Sequence, residues 1–230
     1  MTMTMTAPGP AETYVVIAAY NEARVIRGVV AEVVARGYPV VVVDDGSTDD
    51  TAGHARIAGV TVVRHAINRG QGAALQTGIT YALRRGARAV VTFDADGQHS
   101  VEDLPELIAA LAVHDVALGS RFLGKEVVGA TRRRKLLLRT ATTMSNRLSG
   151  MRLTDAHCGL RAFRASAAPA LAITQDRMAH ASELLRKIAT SGLRVTEVPV
   201  TVKYTEHSMR KGQGGLQAIR ILFDYFFRAS

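Results

Sequence analysis

The sequence predicts an α/β domain, a mostly parallel central sheet with helices on both faces. Three observations carry this. Four short Val/Ile-rich runs alternate with longer helical patterns over the first hundred residues, the rhythm of βαβ units. The composition, 47% hydrophobic and 21% charged over 230 residues, is that of a globular chain able to bury a core. The ends of the strand-like runs are also polar or acidic, and in open α/β sheets ligands gather at the carboxyl ends of the strands.

The elements follow in order. Residues 1–12, MTMTMTAPGPAE, lack the basic segment and apolar core of a signal peptide and read as a disordered tail. Strands are expected at Tyr14–Ala18, Val40–Val43, Val60–Val63 and Ala89–Phe93, with a fifth at Asp115–Leu118. Helices are expected at Glu22–Arg36, Thr48–Ala58 and Gly72–Arg85, Thr48 or a neighbour capping the second. Pro105 suits a first helical turn, so Asp103 is placed as the cap of a helix running to Val113. After Arg121 the rhythm breaks. Arg134–Leu148 reads as a helix with one apolar face (Leu136, Leu137, Met144, Leu148), Asp155–Phe163 as a turn and short strand, and Ala179–Ser191 as a helix. Arg194–Tyr204 reads as a late strand and Leu216–Phe227 as an apolar helix rich in Phe and Tyr. The resulting organisation is a main domain over 13–204, then a mobile loop and amphipathic helix over 205–230 facing a membrane or a second copy.

Lys and Arg exceed Asp and Glu by 29 to 20, and the excess is local: Arg121, Lys125, Arg132, Arg133, Arg134, Lys135 and Arg139 face Glu126 alone. Nucleic acid, an anionic bilayer or a phosphorylated substrate would suit such a stretch, and so would a solvated face. No stretch approaches the roughly 18 apolar residues a spanning helix needs. The single Cys158 excludes an internal disulfide and a thiolate zinc cluster, and reads as a small buried residue.

The most informative strand end is Asp94-Ala95-Asp96-Gly97-Gln98-His99. Residues two apart along an extended segment share a side, so Asp94 and Asp96 can meet one divalent cation with the Gln98 carbonyl oxygen next to them. Asp and Gly after a strand also make an ordinary turn. Other loaded ends are Ala18-Ala19-Tyr20-Asn21-Glu22, Asp44-Asp45-Gly46-Ser47 and Gly119-Ser120-Arg121. As structural alternatives, Asn21 is a candidate helix cap and Asp45 a brace for the turn at Gly46. Asn68-Arg69-Gly70-Gln71-Gly72 precedes a helix, so its amides are candidates to approach a phosphate; it lacks the third glycine of a dinucleotide fingerprint.

Taken together, AAYNE, VVDDGSTDDT, NRGQGAALQTG, FDADGQHSVEDLP, GSRF and TDAHCGLRAF, in this order over Thr13–Tyr204, resemble glycosyltransferase family 2, and within it the polyprenyl-phosphate sugar synthases. The resemblance implies a GT-A fold with a Rossmann-like sheet. It implies an inverting, metal-dependent hexosyltransferase that moves a sugar from a GDP- or UDP-sugar to a polyprenyl phosphate, using Mg²⁺ or Mn²⁺. Carried over residue by residue, it assigns Asp94, Asp96 and Gln98 to the metal, and Ala19, Tyr20, Asn21, Glu22, Asp44, Gly46, Asn68, Gly70 and Ala95 to the donor. Asp94, Asp96 and Arg121 become the catalytic set; Arg121, Arg134 and Arg139 meet the acceptor phosphate; Arg210 and Lys211 lie in a loop closing over the donor. Gln71 departs from the family's usual Lys. A phosphate acceptor already bears an ionised nucleophilic oxygen, so arginines matter more than a general base, and neither Asp155 nor Glu183 has a base's partner pattern. The expected location is cytoplasmic, at the inner face of the membrane, with no nucleic-acid partner; a homodimer or separate membrane subunit is left open. Alternatives are a family 2 enzyme acting on a hydroxyl acceptor, a haloacid-dehalogenase-like phosphatase, and a non-catalytic adaptor. The phosphatase is disfavoured because Asp-x-Asp ends the fourth strand, the adaptor because Asp44, Asp94, Asp96 and Gln98 are intact.

Overall fold

The computed structural model describes residues 6–203 apart from 125, 126, 129–131 and 178, and only the backbone at 127, 128 and 132–134. The loop with Arg210 and Lys211, the apolar stretch Leu216–Phe227 and the side chain of Arg134 lie outside the described residues.

Nine strands run in chain order among the described residues: β1 (Thr13–Ala19), β2 (Val40–Asp44), β3 (Val60–Arg64), β4 (Ala89–Asp94), β5 (Val116–Ser120), β6 (Val127–Val128), β7 (Arg161–Arg164), β8 (Val195–Pro199) and β9 (Val202–Lys203). The helices are α1 (Ile26–Ala35), α2 (Thr51–Ala55), α3 (Gln71–Arg84), α4 (Leu104–Ala109), α5 (Arg132–Ser149) and α6 (His180–Thr190). Seven strands form one sheet in the order β3-β2-β1-β4-β7-β5-β8. Every pairing in it is parallel except those of β7, which is antiparallel to both β4 and β5. Strands β6 and β9 pair separately.

The valine runs are explained by burial on both faces. Val15, Ile17, Val40, Val42, Val91 and Phe93 point to the side where α1 packs Ile26, Val29, Val30 and Val33 and α4 packs Leu104 and Leu107. Val16, Val41, Val43 and Val90 point to the other side, against Ala74, Leu75 and Ile79 of α3 and Leu184, Leu185 and Ile188 of α6. The strand period of two sends alternate residues to opposite cores, and the i, i+3, i+4, i+7 spacing in α1 meets one of them.

Local chemistry moved several expected boundaries. Helix α1 starts at Ile26 rather than Glu22, because the Glu22 amide donates to Thr51 Oγ1 at 2.8 Å and Asn21 sits at φ 55°. Thr48 caps nothing; its amide donates to Asn21 Oδ1, and α2 begins only at Thr51. Asp103 precedes α4 without a side-chain cap, its carboxylate accepting instead from the Thr201 amide at 2.6 Å. The single late strand divides at Pro199, whose missing N–H cannot continue a ladder, into β8 and β9. The tail assignment stops short of residue 12: Pro10–Glu12 forms a 3-10 turn, anchored by a Glu12–Arg88 ion pair at 3.0 Å.

Candidate active site

The carboxyl ends of β1, β2 and β4 and the start of α3 enclose a cleft of about 430 Å³. Of the donor residues named from sequence, Ala19, Tyr20, Glu22, Asn68, Gly70 and Ala95 line it together with Asp94 and Asp96. Asp45 and Gln71 also line it, whereas Asn21, Asp44 and Gly46 do not.

Asn21 does not cap α1. Its side chain accepts from Thr48 and its amide donates to Ser47 Oγ, stitching the end of β1 to the turn after β2. Asn is among the few residues that tolerate this left-handed backbone. Gly46, at φ 71°, lies so close under residues 67 and 68 that a Cβ would come within 2.7 Å of their backbone; it packs that loop. Asp44 is fully buried. Its Oδ1 accepts from the Ser47 amide, and Arg64 Nε stands 3.1 Å from Oδ2, an ion pair without hydrogen-bond alignment, since Oδ2 has no hydrogen-bond partner.

Asp45 is the brace it resembled, although for the next loop. Its carboxylate accepts from the amides of Arg69 and Gly70, at 3.0 and 2.6 Å, and pairs with His65, which reaches Thr77 on α3. The Ala73 amide donates to Asp176 O. The amides of residues 69, 70 and 73 are therefore consumed internally, and a phosphate cradle at this helix start is not what the structure displays. Gly72 is where two backbones touch: a Cβ there would meet Gln175 O at 2.0 Å.

At the tip of β4, Asp94 accepts from His99 Nε2 at 2.9 Å. Burial would raise the Asp94 pKa, but His99, Arg161 and Arg121 outweigh it and hold it below the ordinary value. Asp96 goes the other way. Burial first, and the neighbouring Asp94 charge second, push its pKa up. Two carboxylates that strain each other's ionisation are the donor set a divalent cation relieves. Gln98 folds back on Asp96, its amide nitrogen donating to Oδ2 at 2.5 Å, so the amide must turn before its oxygen could join a cation. Gly159 lies against Asp94, where a Cβ would sit 2.3 Å from a carboxylate oxygen.

Arg121 is placed differently from its expected role as a phosphate grip. It is buried, its Nε donating to Asp155 Oδ2 at 2.5 Å and its backbone amide to the same oxygen. Glu197 on β8 closes this clasp by accepting from the amides of Thr154 and Asp155. Arg139 is on the exposed side of α5 with its guanidinium over the Phe122 ring, 5.3 Å from the centroid. Cys158 is buried, its thiol pKa pushed up to about 12 by burial, and so is inert. The sequence reading assigned no role to His99, His65, Glu197 or Arg161. His99, inside the DADGQH run, and Arg161, inside TDAHCGLRAF, lay in motifs that marked them; His65 and Glu197 did not.

A mostly parallel sheet with an acidic pair at a strand tip and a cleft over the strand ends is the arrangement the GT-A resemblance implied. Glycosyl transferase family 2 matches residues 14–171, and the chain belongs to that family. It is 31% identical over 233 residues to a UDP-N-acetylglucosamine–dolichyl-phosphate N-acetylglucosaminyltransferase of Methanococcus voltae, covering 91% of this chain and 93% of that one. It is 34% identical over 215 residues to a polyprenol monophosphomannose synthase of Mycolicibacterium smegmatis, covering 88% and 81%. Among solved structures it resembles glucosyl-3-phosphoglycerate synthase from Mycobacterium tuberculosis in complex with Mn²⁺, UDP-glucose and phosphoglyceric acid, with a TM-score of 0.64, 20% identity, and 94% and 80% of the two chains covered.

Proposed function

We propose that this chain is an inverting glycosyltransferase that moves a hexosyl group from a nucleotide sugar to a polyprenyl phosphate at a membrane surface. The observation that carries the reading is the Asp94/Asp96 pair at the rim of the 430 Å³ cleft, one carboxyl held ionised by His99 and the other pushed toward protonation. Asp94 and Asp96 would hold Mg²⁺ or Mn²⁺, with Gln98 joining after its amide turns. Bound there, the cation supplies Lewis-acid stabilisation of the charge growing on the departing diphosphate. The protein's own part is positional. His99 fixes Asp94, Asp45 fixes the loop that carries Gly70, and Tyr20 and Glu22 offer the cleft wall on the nucleotide side.

An oxygen of the acceptor phosphate attacks the anomeric carbon as the bond from that carbon to the nucleoside diphosphate breaks, with inversion and with no proton to remove. The absence of a base pattern supports this. Asp155 is spent on Arg121, and Glu183 accepts from Thr174, Gln175 and Lys187. The relatives named for polyprenyl acceptors support the same acceptor class.

Contact with the bilayer is assigned to α5. Its inward side is polar: Asn146 exchanges two hydrogen bonds with Leu153, Thr142 accepts from the Ala156 amide and Ser145 meets His157. Its leucines face outward, Leu136 being 67% exposed, with Leu137 and Leu148 also exposed. An amphipathic helix normally does the reverse.

The test is Asp96→Ala. Loss of sugar transfer and of Mn²⁺-dependent donor binding, with an unchanged circular dichroism spectrum, is expected; full activity would sink the assignment. A donor screen by calorimetry with Mn²⁺, followed by transfer to a short polyprenyl phosphate, identifies the substrates. Transfer to hydroxyl acceptors alone would overturn the lipid-phosphate reading.

A further inference from the structure

Beyond the cleft a second, smaller cavity of about 130 Å³ opens between α3, β4, β7 and α6. It shares Gln71 and Asp94 with the first, so a group attached to a diphosphate beside Asp94 can extend into it. Its wall includes Arg161, His157 and His180. Arg161 is 6% exposed, and among the described residues its guanidinium makes no hydrogen bond and no ion pair, feeling Asp94 and Asp155 only at longer range, while Arg121, equally buried, has Asp155 in contact. A guanidinium carries five donors, and burying it with none used is costly unless a ligand takes them.

His180, also in the lining, shows which ligand. His180 Nδ1 lies 2.8 Å from Arg177 O; a carbonyl only accepts, so the proton is on Nδ1 and Nε2 is left with its lone pair. Burial lowers the pKa of His180 and keeps the ring neutral. The cavity therefore offers donors from Arg161 and an acceptor from His180. A carboxylate or phosphate oxygen would satisfy the first and be repelled by the second. A hydroxyl both accepts and donates and suits both. The volume, roughly four waters at about 30 Å³ each, admits one hydroxyl-bearing edge of a sugar ring whose remainder lies in the adjoining cleft.

We propose that this cavity receives a hydroxyl-bearing edge of the donor's neutral sugar and that Arg161 is its specificity-determining contact, donating to a sugar hydroxyl oxygen whose proton is given to His180. The inference rests on the transferase reading and names the substrate feature it selects, a hydroxyl rather than a charge.

The experiment titrates the full chain with UDP, UDP-glucose, UDP-glucuronate, GDP and GDP-mannose, each with Mn²⁺, in wild type and in Arg161→Met and Arg161→Lys. For whichever nucleotide binds, Arg161→Met should weaken the neutral nucleotide sugar by about tenfold or more beyond any loss for its nucleoside diphosphate, the latter reflecting the charge Arg161 lends to Asp94. Arg161→Lys should fall between. Equal losses for sugar and diphosphate, no loss at all, or a preference for the glucuronate would overturn the proposal. Should the variants fail to fold, wild type with monodeoxy donors decides: omitting one hydroxyl should lower kcat/KM by about 100-fold or more, and a flat response to all positions would refute it. Failure to bind any nucleotide with Mn²⁺ would instead sink the transferase reading. Diphosphate binding without a sugar-dependent effect of Arg161 sinks only this inference.

Discussion

The acidic pair proposed at the tip of β4 to hold a cation burdens the empty fold. Asp96 is a half-buried carboxyl beside a carboxylate, and ionising it costs stability that a bound cation would return. Asp96→Asn keeps the shape and removes the charge, so the metal-free variant should unfold at a urea concentration equal to or above that of wild type while losing transfer activity. A lower midpoint would mean that the carboxylate serves the fold. Gly159 tests the same tip from the other side. Because its would-be Cβ lies 2.3 Å from the Asp94 carboxylate, Gly159→Ala must displace that carboxylate or the backbone. A loss of about tenfold or more in Mn²⁺ affinity by calorimetry is expected, the range of a disturbed ligand support; unchanged affinity would remove Asp94 from the metal set. The pair itself was legible in the sequence because its spacing and place after an apolar run follow from strand geometry. The role of Arg161 was not, because nothing local tells a paired arginine from an unpaired one: the fold sets Asp155 in contact with Arg121 and no carboxylate in contact with Arg161.

At the level of elements, the parallel half of the sheet was readable because valine runs buried on both faces leave no other periodicity. Strand β7 was harder. It carries Arg161 and Arg164 at its ends, both buried, and inserts antiparallel between β4 and β5 although 66 residues follow β4 before it starts. Lateral order in a sheet is a long-range property that a local pattern does not encode. The segment between β7 and α6 shows the same dependence. Glu183, on the first turn of α6, accepts from the amides of Thr174 and Gln175 and from Thr174 Oγ1, and these latch residues 174–176 over the start of α3. Burial raises its pKa, but Lys187, Thr174 and Gln175 overcome this and bring it from the ordinary 4.5 to about 2. A depressed carboxyl pKa contributes stability that is present above the unfolded value and lost as pH falls through the folded one. Glu183→Gln should therefore lower stability by about 2 kcal/mol near neutral pH. Its gap from wild type in urea melts should close as pH drops from 4.5 toward about 2. A gap independent of pH would show that shape, not charge, holds the latch.

For the whole molecule the proposed polyprenyl-phosphate acceptor raises the question of how a folded domain reaches a group held in lipid. Among the described residues no helix is long and apolar enough to cross a membrane, and the contact proposed above is a surface one, through α5. The chain carries a net charge of +9, and the sequence gathers Arg132, Arg133, Arg134, Lys135, Arg139 and Arg147 on or at the start of α5, the helix whose leucines look outward. Basic residues near an anionic leaflet contribute about 1 kcal/mol each, within a Debye length of roughly 10 Å at 0.1 M salt. A leucine transferred fully from water contributes about 1.5–3 kcal/mol. The two terms respond to different variables and can be separated. Binding of the chain to vesicles with anionic lipid should weaken steeply as salt is raised, and vesicles of neutral lipid alone should bind little. Leu136→Glu with Leu137→Glu should cut partitioning into anionic vesicles by about tenfold or more at fixed salt, since both apolar groups are lost and two like charges face the leaflet. Because α5 packs inward through Thr142, Ser145 and Asn146 rather than through these leucines, the double variant should keep wild-type stability and Mn²⁺-dependent nucleotide binding. It should lose transfer to polyprenyl phosphate presented in vesicles, and retain transfer to a short-chain acceptor dispersed in solution. Equal loss with both acceptors would place the leucines in catalysis or folding, and unaltered vesicle binding would move the membrane contact off α5.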